Sequence, residues 1–474
     1  MRRRALAAVL VLGVSLLVLG ESLLLLGLPL LLSACTRSDP PNVVVLVVDT
    51  LRRDHLGMNG HSRDTSPVLD AFAADAVRFE RAYSPAPWTR PAVASMFTGL
   101  YPSSHRTMAL NNVLPPGIET LAEILAQRGY ATAGIVSHVI LSEQFGFAQG
   151  FEIWDESESG GHRHVSTPGV TALATEALDR LAADDRPFLL FVHYFDPHYN
   201  YVHHPEVGFA PRPVGSLSDD EDVEQLRERL DTLTGAEVGY LRALYDEEIR
   251  FTDEGIGRLL AHLDALGEQR TIVAITADHG EEFLERGWLG HTRTLYEELV
   301  AVPLLVRGLP GSLGHGHAVE EPVSLVSLLP TLLDLAGVPA GDRSFDGPSL
   351  GSFVRGSAHP VLGTVFAEVD FRGPVAKQAR KQAAIGPRYK VIRDDRLGRT
   401  EIFDLASDPG ERAPLDPAHA PEAVDALRTE LWRFSTRERP ALAPPEESET
   451  EIDPKLREQL RGLGYVEGES SGRH

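Results

Sequence analysis

Val43-Val44-Val45-Leu46-Val47-Val48-Asp49-Thr50 and Thr271-Ile272-Val273-Ala274-Ile275-Thr276-Ala277-Asp278-His279-Gly280-Glu281 share one design. Each is an apolar run rich in β-branched residues that ends abruptly in ionisable ones. Such runs are what a parallel strand requires when helices cover both faces of its sheet. Sheets of that kind gather ligands at the carboxyl ends of their strands. The two stretches therefore predict that Asp49, Asp278 and His279 meet at one point. Two carboxylates and an imidazole make a divalent-cation site, and a cation at a cleft floor suits ester chemistry.

Outward from these runs, strand-like and helix-like segments alternate as in an α/β domain. Residues 131–136 and 188–193 read as further strands, the second followed by Asp196-Pro197-His198, a third strand end with ionisable groups. Residues 117–125, 240–266 and 325–336 have helical periodicity, the last with Gly337 as its stop. Residues 155–169 and 203–222 read as loops at the cleft mouth. From about residue 361 the pattern shifts to short strands, including 389–392 and 401–405. The expectation is an α/β fold: a large mixed, mostly parallel sheet flanked by helices on both faces over residues 42–360, with a smaller C-terminal α+β subdomain and tail over 361–474. There is no internal repeat.

The formal charge of -23 arises from 68 acidic against 45 basic residues, with no basic stripe. A nucleic-acid partner is not expected of such a chain. Residues 1–34 are a basic start followed by a Leu/Val/Ala run, an export segment and not part of the fold. The run ends Leu32-Ser33-Ala34-Cys35, which resembles a bacterial lipoprotein box and implies a lipid on Cys35, the only cysteine. An uncleaved spanning anchor and simple secretion stay open, although Glu21 disfavours the anchor. The expected location is the bacterial cell envelope, with the protein exported and tethered to the membrane.

Between the opening strands lies Trp88-Thr89-Arg90-Pro91-Ala92-Val93-Ala94-Ser95-Met96-Phe97-Thr98-Gly99, a helix with Pro91 in its first turn and Gly99 at its end. Thr89 falls at the helix N-terminus, where free N–H groups suit a phosphate or sulfate. The bland alternative is that Thr89 is an N-cap.

Asp49, Pro91 to Thr98-Gly99-Leu100-Tyr101-Pro102, and Asp278-His279-Gly280-Glu281 together resemble the sulfatase branch of the alkaline phosphatase superfamily in order and spacing. The resemblance continues through Asp196-Pro197-His198, Gly290-His291, the stretch from Pro330 to Gly337, and Phe403-Asp404-Leu405 with Asp408-Pro409-Gly410-Glu411. It implies an enzyme that cleaves an anionic ester of a lipid, glycan or small molecule with one divalent metal. Asp49, Asp278, His279 and Thr89 are the implied metal ligands, and Thr89, His198 and His291 the implied catalytic residues.

Three departures from the family pattern matter. The nucleophile motif CxPxR becomes Thr89-Arg90-Pro91-Ala92-Val93, and threonine cannot be oxidised to the formylglycine aldehyde. The lysines are Lys377, Lys381, Lys390 and Lys455, all C-terminal, so the family's active-site lysines have no counterpart and His198 and His291 are left to contact the transferring group. Thr50 stands where many sulfatases have a second Asp, and His279 where many have Asn. The imidazole shifts preference from calcium towards zinc or manganese. These features resemble the Thr-nucleophile branches of the superfamily, which implies phosphoryl transfer through a covalent phospho-Thr.

His193 and Asp196 are expected to orient the metal ligands or to belong to a second metal site, the former being favoured. Arg52, Arg53 and Arg90 either grip an anionic substrate or are solvated. Glu281 and Glu282 are read as the start of a helix, with no chemistry assigned. A phosphoethanolamine- or phosphoglycerol-type transferase and a silent glycan-binding pseudosulfatase remain as rival readings.

Overall fold

The run Asn42–Val48 forms strand β1, and its seven residues are all buried. The computed structural model containing it describes residues 40–466 apart from 162–163, 200, 211, 219–221, 269, 312–315, 358–361, 373–377, 439–449 and 464. The export segment and Cys35 lie outside the described residues. Among the described residues no helix is long and apolar enough to cross a membrane.

After β1 come β2 (Val77–Phe79), β3 (Ala131–Val136), β4 (Ile153–Asp155), β5 (Phe188–Tyr194), β6 (Thr271–Ala277), β7 (Leu304–Arg307) and β8 (Ala318–Val319). They form an eight-stranded sheet in the order β8-β2-β7-β6-β1-β5-β3-β4. The block β6-β1-β5-β3-β4 is parallel, while β7 runs antiparallel to both β6 and β2. The sheet is therefore mixed and mostly parallel. Like β1, strands β5 and β6 are buried along their whole length, as apolar runs between two covering layers must be.

Register decides where the chemistry sits. Val48 pairs with Ala277 on one side and Tyr194 on the other. Asp49 and Asp278, one residue further on, thus leave the sheet side by side. His193 lies opposite both Val47 and Val136, at the same end of the neighbouring strands.

Helix α1 (Thr89–Thr98) is buried at all ten positions. Pro91 lies in its first turn, where a missing N–H breaks no helical bond. Gly99 ends it at φ +69°, a left-handed conformation that glycine adopts without steric cost. Phe97 of α1 meets Phe191 of β5 edge-on at 4.8 Å, which fixes the helix against the sheet. Helix α2 (Thr167–Ala182) packs on β3, β5 and the 31-residue helix α3 (Gly235–Ala265). The start of α3 lies five residues before the periodicity suggests, because Thr234 and Glu237 form a capping box there. The same device explains why the helix expected over 117–125 begins only at Leu121: Thr120 and Glu123 cap it reciprocally.

In the C-terminal part, β9 (Val365–Phe371), β10 (Ala379–Ile385), β11 (Tyr389–Asp394) and β12 (Arg399–Asp404) form an antiparallel meander. Helix α4 (Glu422–Thr436) covers it, with Val424, Leu427 and Leu431 packed on Ala384, Val391 and Ile402. The buried Lys390 of β11 lies 3.0 Å from Glu297 and 2.9 Å from Glu411. It is thus a structural tie and not an active-site lysine. Finally α5 (Pro454–Gly462) returns to the main core, burying Leu456, Leu460 and Leu463.

Candidate active site

Asp49 from the end of β1, Asp278-His279 from the end of β6 and Thr89 from the first turn of α1 converge, all completely buried. His279 Nε2 lies 3.5 Å from Asp49 Oδ1, 3.5 Å from Asp278 Oδ2 and 3.2 Å from Thr89 Oγ1. Trp88, extended at φ −165° and ψ 157°, is the N-cap, so Thr89 is the first helical residue. The capping alternative for Thr89 is thereby removed, and its hydroxyl faces the carboxylates instead.

The ring orientation of His279 suits a ligand. Its Nδ1 donates to the Gly280 carbonyl at 2.8 Å, which leaves the Nε2 lone pair pointing at the cluster. Burial lowers its pKa, so the neutral form is favoured. Asp278 Oδ1 accepts from the N–H groups of Thr50 and His279 at 3.2 and 2.8 Å. The Thr50 backbone is held at φ +54°, with its carbonyl accepting from the Tyr245 hydroxyl at 2.7 Å.

Both oxygens of Asp49 and Oδ2 of Asp278 are buried without a well-formed hydrogen bond. Leaving such acceptors unsatisfied is costly. Burial, reinforced by Asp278 and Glu281, pushes the Asp49 carboxyl well above its usual range. Burial also acts on Asp278, but His279 and His193 beside it bring that carboxyl below its usual value. Two adjacent buried carboxylates with spare lone pairs and an imidazole lone pair form a donor set that a divalent cation satisfies. The residues present therefore fit a metal ion.

His193 Nε2 lies 3.8 Å from Asp49 Oδ2 and 3.9 Å from Asp278 Oδ2, bridging the two carboxylates from behind. Asp196 does not join it. That side chain caps α2, accepting from the N–H groups of Ser166 and Thr167 at 3.3 and 2.8 Å. His198 and His291 do approach the cluster, with ring centroids 4.8 Å apart, and His291 lies 4.6 Å from His279. His198 Nδ1 donates to the Tyr199 carbonyl at 2.7 Å, so its Nε2 faces inward as in His279.

Three participants escaped the sequence reading. His138, two residues beyond β3, has Nε2 3.9 Å from Asp49 Oδ2. Asp49, His138 and His198 form a second group within ligand distance, but His138 Nδ1 accepts from the Ile140 N–H at 3.4 Å. That bond places the neutral ring's proton on Nε2, so this nitrogen offers no lone pair to a cation. The strand-end rule that selected Asp49 would have found it. Glu281 is the second: its Oε1 lies 2.9 Å from His291 Nδ1, and burial raises its pKa to about 8. No helix begins there. Glu282–Phe283 instead pairs with Leu289–Gly290, and Glu282 Oε1 closes the hairpin by accepting from the N–H groups of Arg286 and Trp288 at 2.9 Å each. The third is Tyr465, whose hydroxyl lies 3.4 Å from His291 Nε2.

The arginines near the site are engaged with other groups of the protein. Arg90 is fully buried over the Phe145 ring at 3.7 Å, its Nε donating to the Ile140 carbonyl at 3.1 Å. Arg52 is paired with Asp54 and Glu285 at 2.8 Å each. Arg53 donates to the Glu80 carbonyl.

Residues 41–338 match the sulfatase family model, and residues 284–437 match the model of the N-sulphoglucosamine sulphohydrolase C-terminal region. Among curated relatives, the mouse (Mus musculus) steryl-sulfatase is 27% identical, over 85% of this chain and 84% of its own. The Delta 4,5-hexuronate-2-O-sulfatase of Bacteroides thetaiotaomicron is 24% identical, over 92% and 96%. Among solved structures, a 2-O GAG sulfatase superposes with a TM-score of 0.70 at 20% identity, covering 89% of this chain and 100% of the other. The phosphonate monoester hydrolase of Agrobacterium radiobacter superposes with a TM-score of 0.67 at 23% identity, covering 83% and 95%.

Proposed function

The chain belongs to the sulfatase family, and we propose that within it the protein is a metal-dependent hydrolase of phosphate esters with Thr89 as nucleophile. Sulfate-ester cleavage is the less favoured variant of the same reading. One observation carries the proposal: where the family places its formylglycine precursor, a threonine hydroxyl stands 3.2 Å from His279 Nε2, beside Asp49 and Asp278.

Asp49, Asp278, His279 and Thr89 would hold a zinc or manganese ion, which lowers the pKa of a bound hydroxyl and neutralises charge on the transferring oxygens. Thr89 Oγ attacks phosphorus and gives its proton to one of the Asp49 carboxylate oxygens, neither of which has a well-formed hydrogen bond. The ester oxygen leaves with its bonding pair and takes a proton from His291, whose Nδ1 is held by Glu281 at 2.9 Å. His198 contacts the transferring oxygens. Water then displaces the phosphoryl group from Thr89. Exclusion of bulk water from this fully buried floor strengthens each of these interactions.

The substrate we infer is an anionic ester of a lipid, glycan or small molecule, its organic part selected by the loops over 155–169 and 203–222. We further read the protein as exported and membrane-tethered through a lipid on Cys35. Labelling with a fatty-acid probe that survives in Cys35→Ala would contradict that tether.

The test of function is a panel of aryl sulfate, phosphate monoester, phosphodiester and phosphonate monoester substrates on zinc- and manganese-loaded protein and on Thr89→Ala. Phosphoester turnover abolished by the substitution supports the reading, and equal turnover in both proteins sinks it. An acceptor alcohol that outcompetes water would mark a transferase instead. Binding of a sulfated glycan without turnover of any ester would mark a pseudoenzyme.

A further inference from the structure

The reacting residues are sealed. Thr89, Asp49, Asp278 and His279 have no solvent exposure, and His198 and His291 only 2% and 1%. The group that fills the space in front of them is Tyr465, itself completely buried. Its hydroxyl lies 3.4 Å from His291 Nε2. Its ring sits in an aromatic collar, with centroids 6.1 Å from Trp88, 6.2 Å from His138 and 6.4 Å from both His291 and Phe371. Its phenol therefore meets the leaving-group acid of the proposed reaction.

The way Tyr465 is held shows that this placement is built. Asp453 caps α5 by accepting from the Leu456 N–H at 2.8 Å. Leu456, Leu460 and Leu463, at helical spacing, are buried in the main core, while Lys455, Arg457, Glu458 and Arg461 face solvent. The Leu463 carbonyl accepts from the Tyr199 hydroxyl at 2.9 Å, and the Tyr465 N–H donates to the Leu460 carbonyl at 2.8 Å. The tyrosine is thus tied to α5 at its own N–H and held two residues earlier through the Leu463 carbonyl.

We propose that the collar is the leaving-group subsite, that it takes a phenolic alcohol, and that Tyr465 occupies it as a product analogue built into the chain. The inference rests on Thr89 as nucleophile. In an aryl phosphate ester, the bond from Thr89 Oγ to phosphorus forms as the bond from phosphorus to the aryl oxygen breaks. The aryl oxygen keeps the electron pair, takes the proton of His291 and becomes a phenol. Tyr465 already presents a phenol to that nitrogen. An aryl substrate must displace it, so self-occupancy lowers the apparent affinity by the fraction of molecules with the collar free.

The test uses full-length protein and p-cresol, the side-chain analogue of tyrosine. Binding of p-cresol is read by saturation-transfer NMR in a Thr89→Ala background, where no turnover is needed. Tyr465→Ala should bind p-cresol at least ~10-fold more tightly than the unsubstituted residue allows. Tyr465→Phe keeps the ring and should still exclude it. With Thr89 intact, Tyr465→Ala should raise kcat/KM for 4-nitrophenyl phosphate by a similar factor, and added p-cresol should compete with that substrate. If Tyr465→Ala fails to fold, Leu456→Ser with Leu460→Ser releases α5 and should give the same gain in p-cresol binding. Absence of p-cresol binding in these variants, or a fall in kcat with KM unchanged for Tyr465→Ala, would overturn the inference. Binding of p-cresol without turnover of any ester would uphold the subsite while removing Thr89 as nucleophile.

Discussion

Among the described residues two separate places have the composition of a metal site: the strand ends around Asp49, with Asp278 and His279 or with His138 and His198, and Asp246 with His55 and His61. Their bonding separates them. Asp246 accepts from His55 Nδ1 at 2.6 Å, His61 Nε2 at 3.0 Å and Arg63 at 2.5 Å, so its oxygens are saturated. Burial alone would push the Asp246 carboxyl up, but its bonds to His55, His61 and Arg63 carry it far below its usual value. At the strand ends the reverse holds. Asp49 has no well-formed bond at either oxygen, no arginine reaches in, and its carboxyl is driven up. Residue type is therefore a poor guide to a cation site; unsatisfied acceptors with lone pairs turned inward are a better one.

The largest effect expected from the comparison lies in activity. Thr89→Ala should lower ester turnover by at least about 10^3-fold, as loss of a nucleophile does, and Thr89→Ser should retain part of it. The matching change in the saturated cluster, Asp246→Asn, should leave catalysis nearly intact. His291→Gln comes next, with a loss of about 10^2- to 10^4-fold for alkyl leaving groups. That loss should shrink for 4-nitrophenyl esters, whose leaving oxygen needs no proton. An equal loss for both substrate types would mean that His291 is not the acid.

Metal content and stability should divide the clusters cleanly. Asp278→Asn should abolish stoichiometric zinc or manganese in metal analysis, and Asp246→Asn should not change it. Asp246→Asn should instead destabilise the fold by about 1–3 kcal/mol in urea unfolding, because His55, His61 and Arg63 lose the carboxylate acceptor they share. The smallest effect concerns acid stability. The folded pKa of Asp246 is depressed, so its contribution is present above the unfolded carboxylate value near 4 and is lost as pH falls through the folded value. Stability of Asp246→Asn should therefore fall less steeply below pH 4 than that of the parent.

The same contrast shows what was legible in the sequence. The fold was, because β1, β5 and β6 must be apolar throughout to lie buried in a covered sheet. Asp49, Thr89, Asp278 and His279 were legible because each sits at the end of such a strand or of a helix with clear stop signals. His138 obeys the same strand-end rule, and only its strand's plain composition hid it. Glu281 was misread as a helix start because the hairpin that follows depends on Glu282 accepting bonds from Arg286 and Trp288, a pairing with no periodicity. Asp196 looked like a site residue, yet the need to cap α2 claims it. Tyr465 had no local signal at all, since its place is set by contacts with Trp88 and His291, the nearer of them 174 residues away.

In the proposed reaction Thr89 carries a covalent phosphoryl group. Rapid acid quench of zinc-loaded protein during turnover of 4-nitrophenyl phosphate, followed by high-resolution peptide mass spectrometry, reads this directly. A phosphoryl adduct on the peptide bearing Thr89, absent in Thr89→Ala, is the predicted result. Full turnover with Thr89 never modified, or a sulfuryl adduct from an aryl sulfate that is hydrolysed faster than any phosphate ester, would contradict it.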